Sequence, residues 1–279
     1  MVIGFLFWFL LAGIIIACIQ DMKRTEIDNW LNFLLLTGGS VFLIFSAIFS
    51  SDYWIVIYGL FSFALMFALS NGVYYSRIYA GGDYKLLVAL FAFFVGVGFM
   101  QTAENTGVFV VLLFFAGSVW GLGYSVFLYA KNFKSVNREM EKFFGKFEVR
   151  IAFLVFIALF VLSYFNWIFL FLSILLALGV FLFIFTKSIE KTAMTKTIGV
   201  GELREGDWLV SDVRVGKMML KAKWEGVSKK EIAFLRKLKN KKIRIKQGIP
   251  FTPAFLISFL TYGLFYEEIF AFIKGIFGF

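Results

Sequence analysis

The chain has 279 residues, of which 61% are hydrophobic and 40 are Phe, with a mean hydropathy of +0.85 and a formal net charge of +10. Apolar runs of about 20 residues recur along it, the mark of helices that span a bilayer rather than of a soluble core. There is no His and only one Cys, Cys18. That excludes Ser-His and Cys-His nucleophiles, HExxH and Cys/His zinc sites, and any disulfide within the chain. Any catalysis must rest on Asp, Glu, Lys, Arg, Tyr, Ser or Thr. No metal and no cofactor is expected.

The apolar pattern predicts helices at about 2–20, 30–50, 53–75, 83–100, 107–130, 149–165, 167–186 and 251–273. The first run lacks a basic n-region and a small-residue cleavage site, so it reads as a retained span. Lys and Arg concentrate in the connections 21–29, 76–82, 131–148 and 187–250, whereas 51–52, 101–106 and 166 hold none. By the positive-inside rule the basic segments face the cytoplasm and both termini lie outside. The expected fold is a polytopic α-helical membrane protein with about eight spans (six to eight), carrying a small cytoplasmic α+β domain. The basic surface is assigned to topology and to an anionic lipid membrane, not to nucleic acid.

Five domains are expected. Residues 1–130 form the first five membrane helices. Residues 131–148, with Phe133, Val136, Met140, Phe143, Phe144 and Phe147 at near-helical spacing amid charges, form an amphipathic interfacial helix. Residues 149–186 are too long for one crossing, and Asn166-Trp167 at their midpoint suggest a transmembrane hairpin. Residues 187–250 form the soluble α+β piece, in which Ser228 and Glu231 signal a capped helix. Residues 251–279 carry the last span, whose start holds the only two prolines, Pro250 and Pro253. Those prolines fit a helix start or a rigid entrance beside a site.

Two acids stand out. Asp21 ends the first apolar run and opens DMKRTEIDN; Asp83 ends YAGGD and opens the fourth. A carboxylate at the edge of hydrocarbon is costly and usually functional. The predicted topology puts both at the cytoplasmic boundary, where a close pair would share one proton. The ionised member would draw a proton from water while the other donates to a scissile carbonyl, hydrolysing an amide with no nucleophilic side chain. Asp21 lies at a helix C-terminus and Asp83 at an N-terminus, so the charge is expected on Asp83 and the proton on Asp21. Gly81 and Gly82, after Ala80, would shape the site by close backbone approach and a bend. Glu26 and Asp28 are solvated, or attract a basic substrate segment. Lys85 snorkels to lipid or tunes the aspartates.

DMKRTEIDN before a span, with GGDYKLL opening a later one, resembles the type IV prepilin and archaeal preflagellin peptidases, membrane aspartic proteases of the GxGD group. The resemblance covers residues 1–100. It implies that Asp21 and Asp83 are the catalytic pair, and that the substrates are pilin-like or archaellin precursors cut on the cytoplasmic side after a short basic leader. Ala80 replaces the first glycine of GxGD, and Asp28 stands where bacterial members usually have proline. The missing Cys-rich zinc domain looks like the archaeal branch. Pro253-Ala254-Phe255 is loosely similar to the Pro-Ala-Leu element of presenilin-like relatives. Rival readings are a presenilin-like intramembrane protease, which needs deeper aspartates; a proton- or cation-coupled transporter, which needs inverted repeats; and an inactive assembly scaffold.

Overall fold

The computed structural model describes residues 4–76, 81–215, 218–223, 226–236 and 242–277. The chain divides into two compact units, residues 1–122 with 250–279, and residues 123–249. In the first unit α1 (Phe5–Arg24), α2 (Asn29–Ser50) and α3 (Trp54–Tyr75) follow one another through short turns. Lys23 and Arg24 in the last turn of α1 suit the negative end of the helix dipole. Thr25 then stops the helix in the left-handed region (φ 54°), its N–H donating to the Asp21 carbonyl at 2.7 Å. At the far end, the Asp52 carboxylate accepts the N–H of Trp54 and starts α3.

The helix expected over 83–100 is interrupted. Only α4 (Gly81–Ala89) is α-helical; a 3-10 turn over Phe91–Phe94 follows, and α5 begins at Phe99. Unpaired backbone groups are intolerable in hydrocarbon, so such a break survives only where protein supplies partners. Here the buried Ser62 of α3 donates to the Phe91 carbonyl at 2.8 Å, and the buried Asn105 side chain donates to the Phe94 carbonyl at 3.2 Å. Thr102 Oγ1 accepts the Gly96 N–H, and Gln101 Oε1 that of Val97. The polar stretch 101–106, expected as an external loop, is therefore the first part of α5 (Phe99–Lys131), whose 33 residues make it roughly 50 Å long.

The last expected span is also divided. α10 (Thr252–Leu264) and α11 (Tyr266–Phe277) meet at Phe265 with an 80° bend. α10 runs antiparallel to α1: Thr252 meets Asp21 at one end, while Phe7 stacks on Phe259 (5.4 Å between ring centroids) toward the other. A side chain at Gly263 would occupy the space taken by the Phe7 ring, and one at Gly13 that of a Leu35 methyl, so both glycines set how closely helices cross. Phe93 and Phe94 of the 3-10 turn close this core against Phe259, Tyr262 and Phe109.

The second unit holds the end of α5, then α6 (Phe133–Phe144), α7 (Phe147–Leu162) and α8 (Trp167–Thr192). Asn166 caps α8, its side chain accepting the Ile168 N–H at 3.0 Å. Beyond α8, β1 (Thr195–Gly199) and β2 (Trp208–Leu209) flank β5 (Lys242–Lys246) in an antiparallel sheet, with Ile198 opposite Ile243. β3 (Val213–Val215) and β4 (Met218–Leu220) form a separate hairpin. α9 (Lys229–Leu235) starts with the expected Ser228–Glu231 capping box, and the Ser228 N–H that donates there holds the Glu231 carboxyl below the ordinary range. Ile198, Leu209, Ile232, Leu235, Ile243 and Ile245 make this small core.

Among the described residues five helices (α1, α2, α3, α5 and α8) are long and apolar enough to cross a bilayer, or six if the bent α10–α11 pair counts as one. This is a mostly helical, multi-pass architecture, in which five or six of the expected six to eight spans are recognisable among the described residues.

Ser62→Ala leaves the Phe91 carbonyl without its donor in a dry interior. It should lower stability in detergent by about 1–3 kcal/mol, whereas Ser40→Ala, which loses only a bond within its own helix, should change it by less than about 0.5 kcal/mol. Thermal unfolding of both variants is the check.

Candidate active site

Asp21 lies three residues before the end of α1, and Asp83 in the first turn of α4. Both are buried, at 6% and 7% exposure. Asp21 is held by the opposite end of the chain: Thr252, the first residue of α10, donates its backbone N–H at 3.0 Å and its Oγ1–H at 2.9 Å to Asp21 Oδ2. Pro253 follows at once, fixing the backbone of the first turn and giving up an amide that has no partner within the helix. Trp120 Nε1 donates to the Pro250 carbonyl at 2.8 Å, and the Phe251 ring lies over Gly117, where a Cβ would fall 2.5 Å from it. The Pro250–Pro253 segment is thus pinned on both sides. Thr252 was not among the expected site residues. The signal pointing to it was the pair of prolines around it.

Asp83 is tied to the same end of the unit. Gly82, the residue before it, packs on Ile27 in the 25–28 turn, six residues after Asp21. Lys85 donates to Asn29 Oδ1 at 2.7 Å, joining α4 to the first turn of α2. Gln20 Oε1, next to Asp21, accepts the Asp28 N–H at 3.0 Å. One short turn therefore neighbours both acids.

The remaining site residues divide. Gly82 is helical, and a Cβ there would sit 3.5 Å from Ile27, an ordinary contact. The glycine bend expected at this position is not required. Gly81 opens α4, and Ala80 lies outside the described residues. Asp28 is engaged within its own turn, accepting from Trp30 Nε1 at 3.3 Å with Arg24 at 4.0 Å, whereas Glu26 is exposed. Lys85 is committed to Asn29 rather than free to reach lipid. The charge asymmetry expected from helix ends also loses its basis. With the amide end of α10 on Asp21, each acid now lies at a helix N-terminus. Among the described residues no cluster of Asp, Glu and Cys could hold a metal ion.

Comparison with known proteins adds to this geometry. Residues 8–126 match the type IV leader peptidase family. That region contains both acids, most of α1 and all of α2 to α4, and it stops short of Thr252. A preflagellin peptidase of Methanococcus maripaludis is 37% identical over 78 residues, 28% of this chain and 34% of that relative. The match thus spans about a third of the relative's length.

Two outcomes follow. Thr252→Val and Asp21→Asn should be coupled by about 0.5–3 kcal/mol in a double-mutant stability cycle; additivity would mean that the hydroxyl and the carboxylate do not interact. Gly82→Ala should leave the unfolding midpoint unchanged, while Gly82→Leu, driven into Ile27, should cost about 1–3 kcal/mol.

Proposed function

We propose that the protein is a membrane aspartic endopeptidase that removes the short basic leader of prepilin- or preflagellin-like precursors at the cytoplasmic membrane face, with Asp21 and Asp83 as the acid–base pair. The observation that carries this reading is the Asp21–Thr252 contact. A carboxylate withdrawn from water needs fixed donors, and the backbone and hydroxyl of Thr252 supply two of them. Helix α4 presents the second acid beside the same turn.

In the proposed mechanism one aspartate is ionised and the other protonated. The ionised one takes a proton from a water molecule as its oxygen attacks the scissile carbonyl carbon. The protonated one donates to the carbonyl oxygen, giving a neutral tetrahedral diol. Collapse returns the carbonyl, breaks the C–N bond and delivers a proton to the leaving nitrogen, after which the pair again holds one hydrogen. No covalent enzyme intermediate is needed, which suits a chain without histidine.

Position along the helices favours a cut at the membrane boundary over one deep in the bilayer. Asp21 is only about 4.5 Å of helix from the end of α1 at Arg24, and Asp83 is in the first turn of α4. A substrate with a short basic leader before an apolar helix would place its cut there. The match to the type IV leader peptidase family and the preflagellin peptidase relative supports that substrate class. The segment around Thr252 lies beyond residues 8–126 that match the family, and in this reading it belongs to the machinery as the part that orients Asp21.

Purified protein mixed with a pilin or archaellin precursor should release the leader. Asp21→Asn and Asp83→Asn should each slow release at least about 100-fold. Asp52→Asn, at the opposite end of the unit, should leave it within about twofold of wild type, the range of a surface change of about 0.5 kcal/mol. Full processing by either site variant would remove the mechanism.

A further inference from the structure

The second unit contains a groove that the proposed protease chemistry does not use. It has a volume of about 480 Å³ and lies between α7 and α8, with Phe144 of α6 also lining it. Its walls are apolar: Val149, Ala152, Phe153 and Phe156 on α7, Leu176, Ala177, Val180 and Phe181 on α8. The cause is local. Ala152 and Ala177 lie the same number of residues either side of the turn between the two helices, so small side chains face each other at one level. Larger ones, Val149 with Val180 and Phe153 with Leu176, surround them. α7 buries none of its residues, and Phe153 and Leu154 are 61% and 65% exposed, so this helix has too little protein packed against it for an apolar segment.

The one charged residue lining the groove is Arg150, on the first turns of α7. Among the described residues it has no ion-pair partner. Basic residues also predominate in the chain that leads into α7. From Lys131 to Arg150 six basic residues stand against three acids, and Lys142 and Lys191 already occupy Glu139. Lys146, one turn before Arg150, stands 4.5 Å over the Phe143 ring.

We infer that this groove holds one hydrocarbon chain of an anionic membrane phospholipid, with the phosphate of the headgroup on the Arg150 guanidinium. Both halves of such a molecule are matched. Guanidinium pairs with phosphate through parallel N–H bonds, and the apolar walls run from the level of Arg150 into the hairpin. A flexible hydrocarbon chain can follow these apolar walls, and Arg150 at their edge matches a phosphate rather than the uncharged side chains of an apolar helix.

The test titrates the intact protein in detergent with spin-labelled phosphatidylglycerol and with spin-labelled phosphatidylcholine of the same chains, reading the motionally restricted label. Wild type should favour the anionic lipid about fivefold, the effect of about 1 kcal/mol for one basic residue at a membrane surface. Arg150→Gln should abolish that preference, and Ala177→Phe, which fills the groove, should release both lipids. Inorganic phosphate should not displace the label. An unchanged preference in Arg150→Gln overturns the assignment, as does retention of the label in Ala177→Phe. Displacement by inorganic phosphate, or by the apolar helix of a precursor protein, overturns it too. Arg150 is exposed and packs no core, so its variant decides the question even if Ala177→Phe fails to fold.

Discussion

Burying a carboxylate is the expense around which the first unit is arranged. Asp21 is removed from water inside an apolar bundle, a situation tolerable only when donors are already in place. Thr252 provides two, and the prolines on either side, the Trp120 indole and the Phe251 ring over Gly117 stiffen the strand of chain that carries it. The antiparallel packing of α1 on α10, from Asp21–Thr252 to Phe7–Phe259, extends that bond into a helix–helix interface. Polar anchoring at one end and aromatic stacking at the other fix the register between the two helices.

The same logic explains the breaks in helical structure. Where α4 gives way to a 3-10 turn, Ser62 and Asn105 take up the Phe91 and Phe94 carbonyls, and Thr102 and Gln101 take up the Gly96 and Val97 amides. Polar side chains in α3 and α5 thus substitute for the intrahelical bonds that the turn forgoes. Tyr266 at the α10–α11 bend donates to Asn105 Oδ1, so Asn105 serves both irregular segments.

How far the sequence could be read follows from what hydropathy measures. The ends of α1, α2 and α3 were legible because charged or turn residues bound each apolar run. The break after Ala89 was hidden: Phe-Ala-Phe-Phe-Val-Gly-Val-Gly-Phe-Met is equally apolar in an α-helix or a 3-10 turn, and its donors lie 29 and 11 residues away. Gln101 to Thr106 looked like a water-facing loop because polar residues were assumed to seek solvent, whereas Thr102, Asn105 and Thr106 are buried. The two aspartates could be picked out because acids are rare at such positions. For Thr252 the flanking prolines mark the segment but not the residue: a threonine beginning a helix is commonplace, and only folding reveals that its amide meets a residue 231 positions earlier. Gly82 shows the reverse error, a glycine credited with a steric role in a place where a methyl group would fit.

The separation between Asp21 and Thr252 bears on biosynthesis. When α1 enters the bilayer, the Thr252 donors that will meet its acid have yet to be translated, and the bundle receives them only with α10, 231 positions later. Until that segment arrives the Asp21 side chain lacks both Thr252 donors, so α1 and α10 find their register only after all the chain between them has been made.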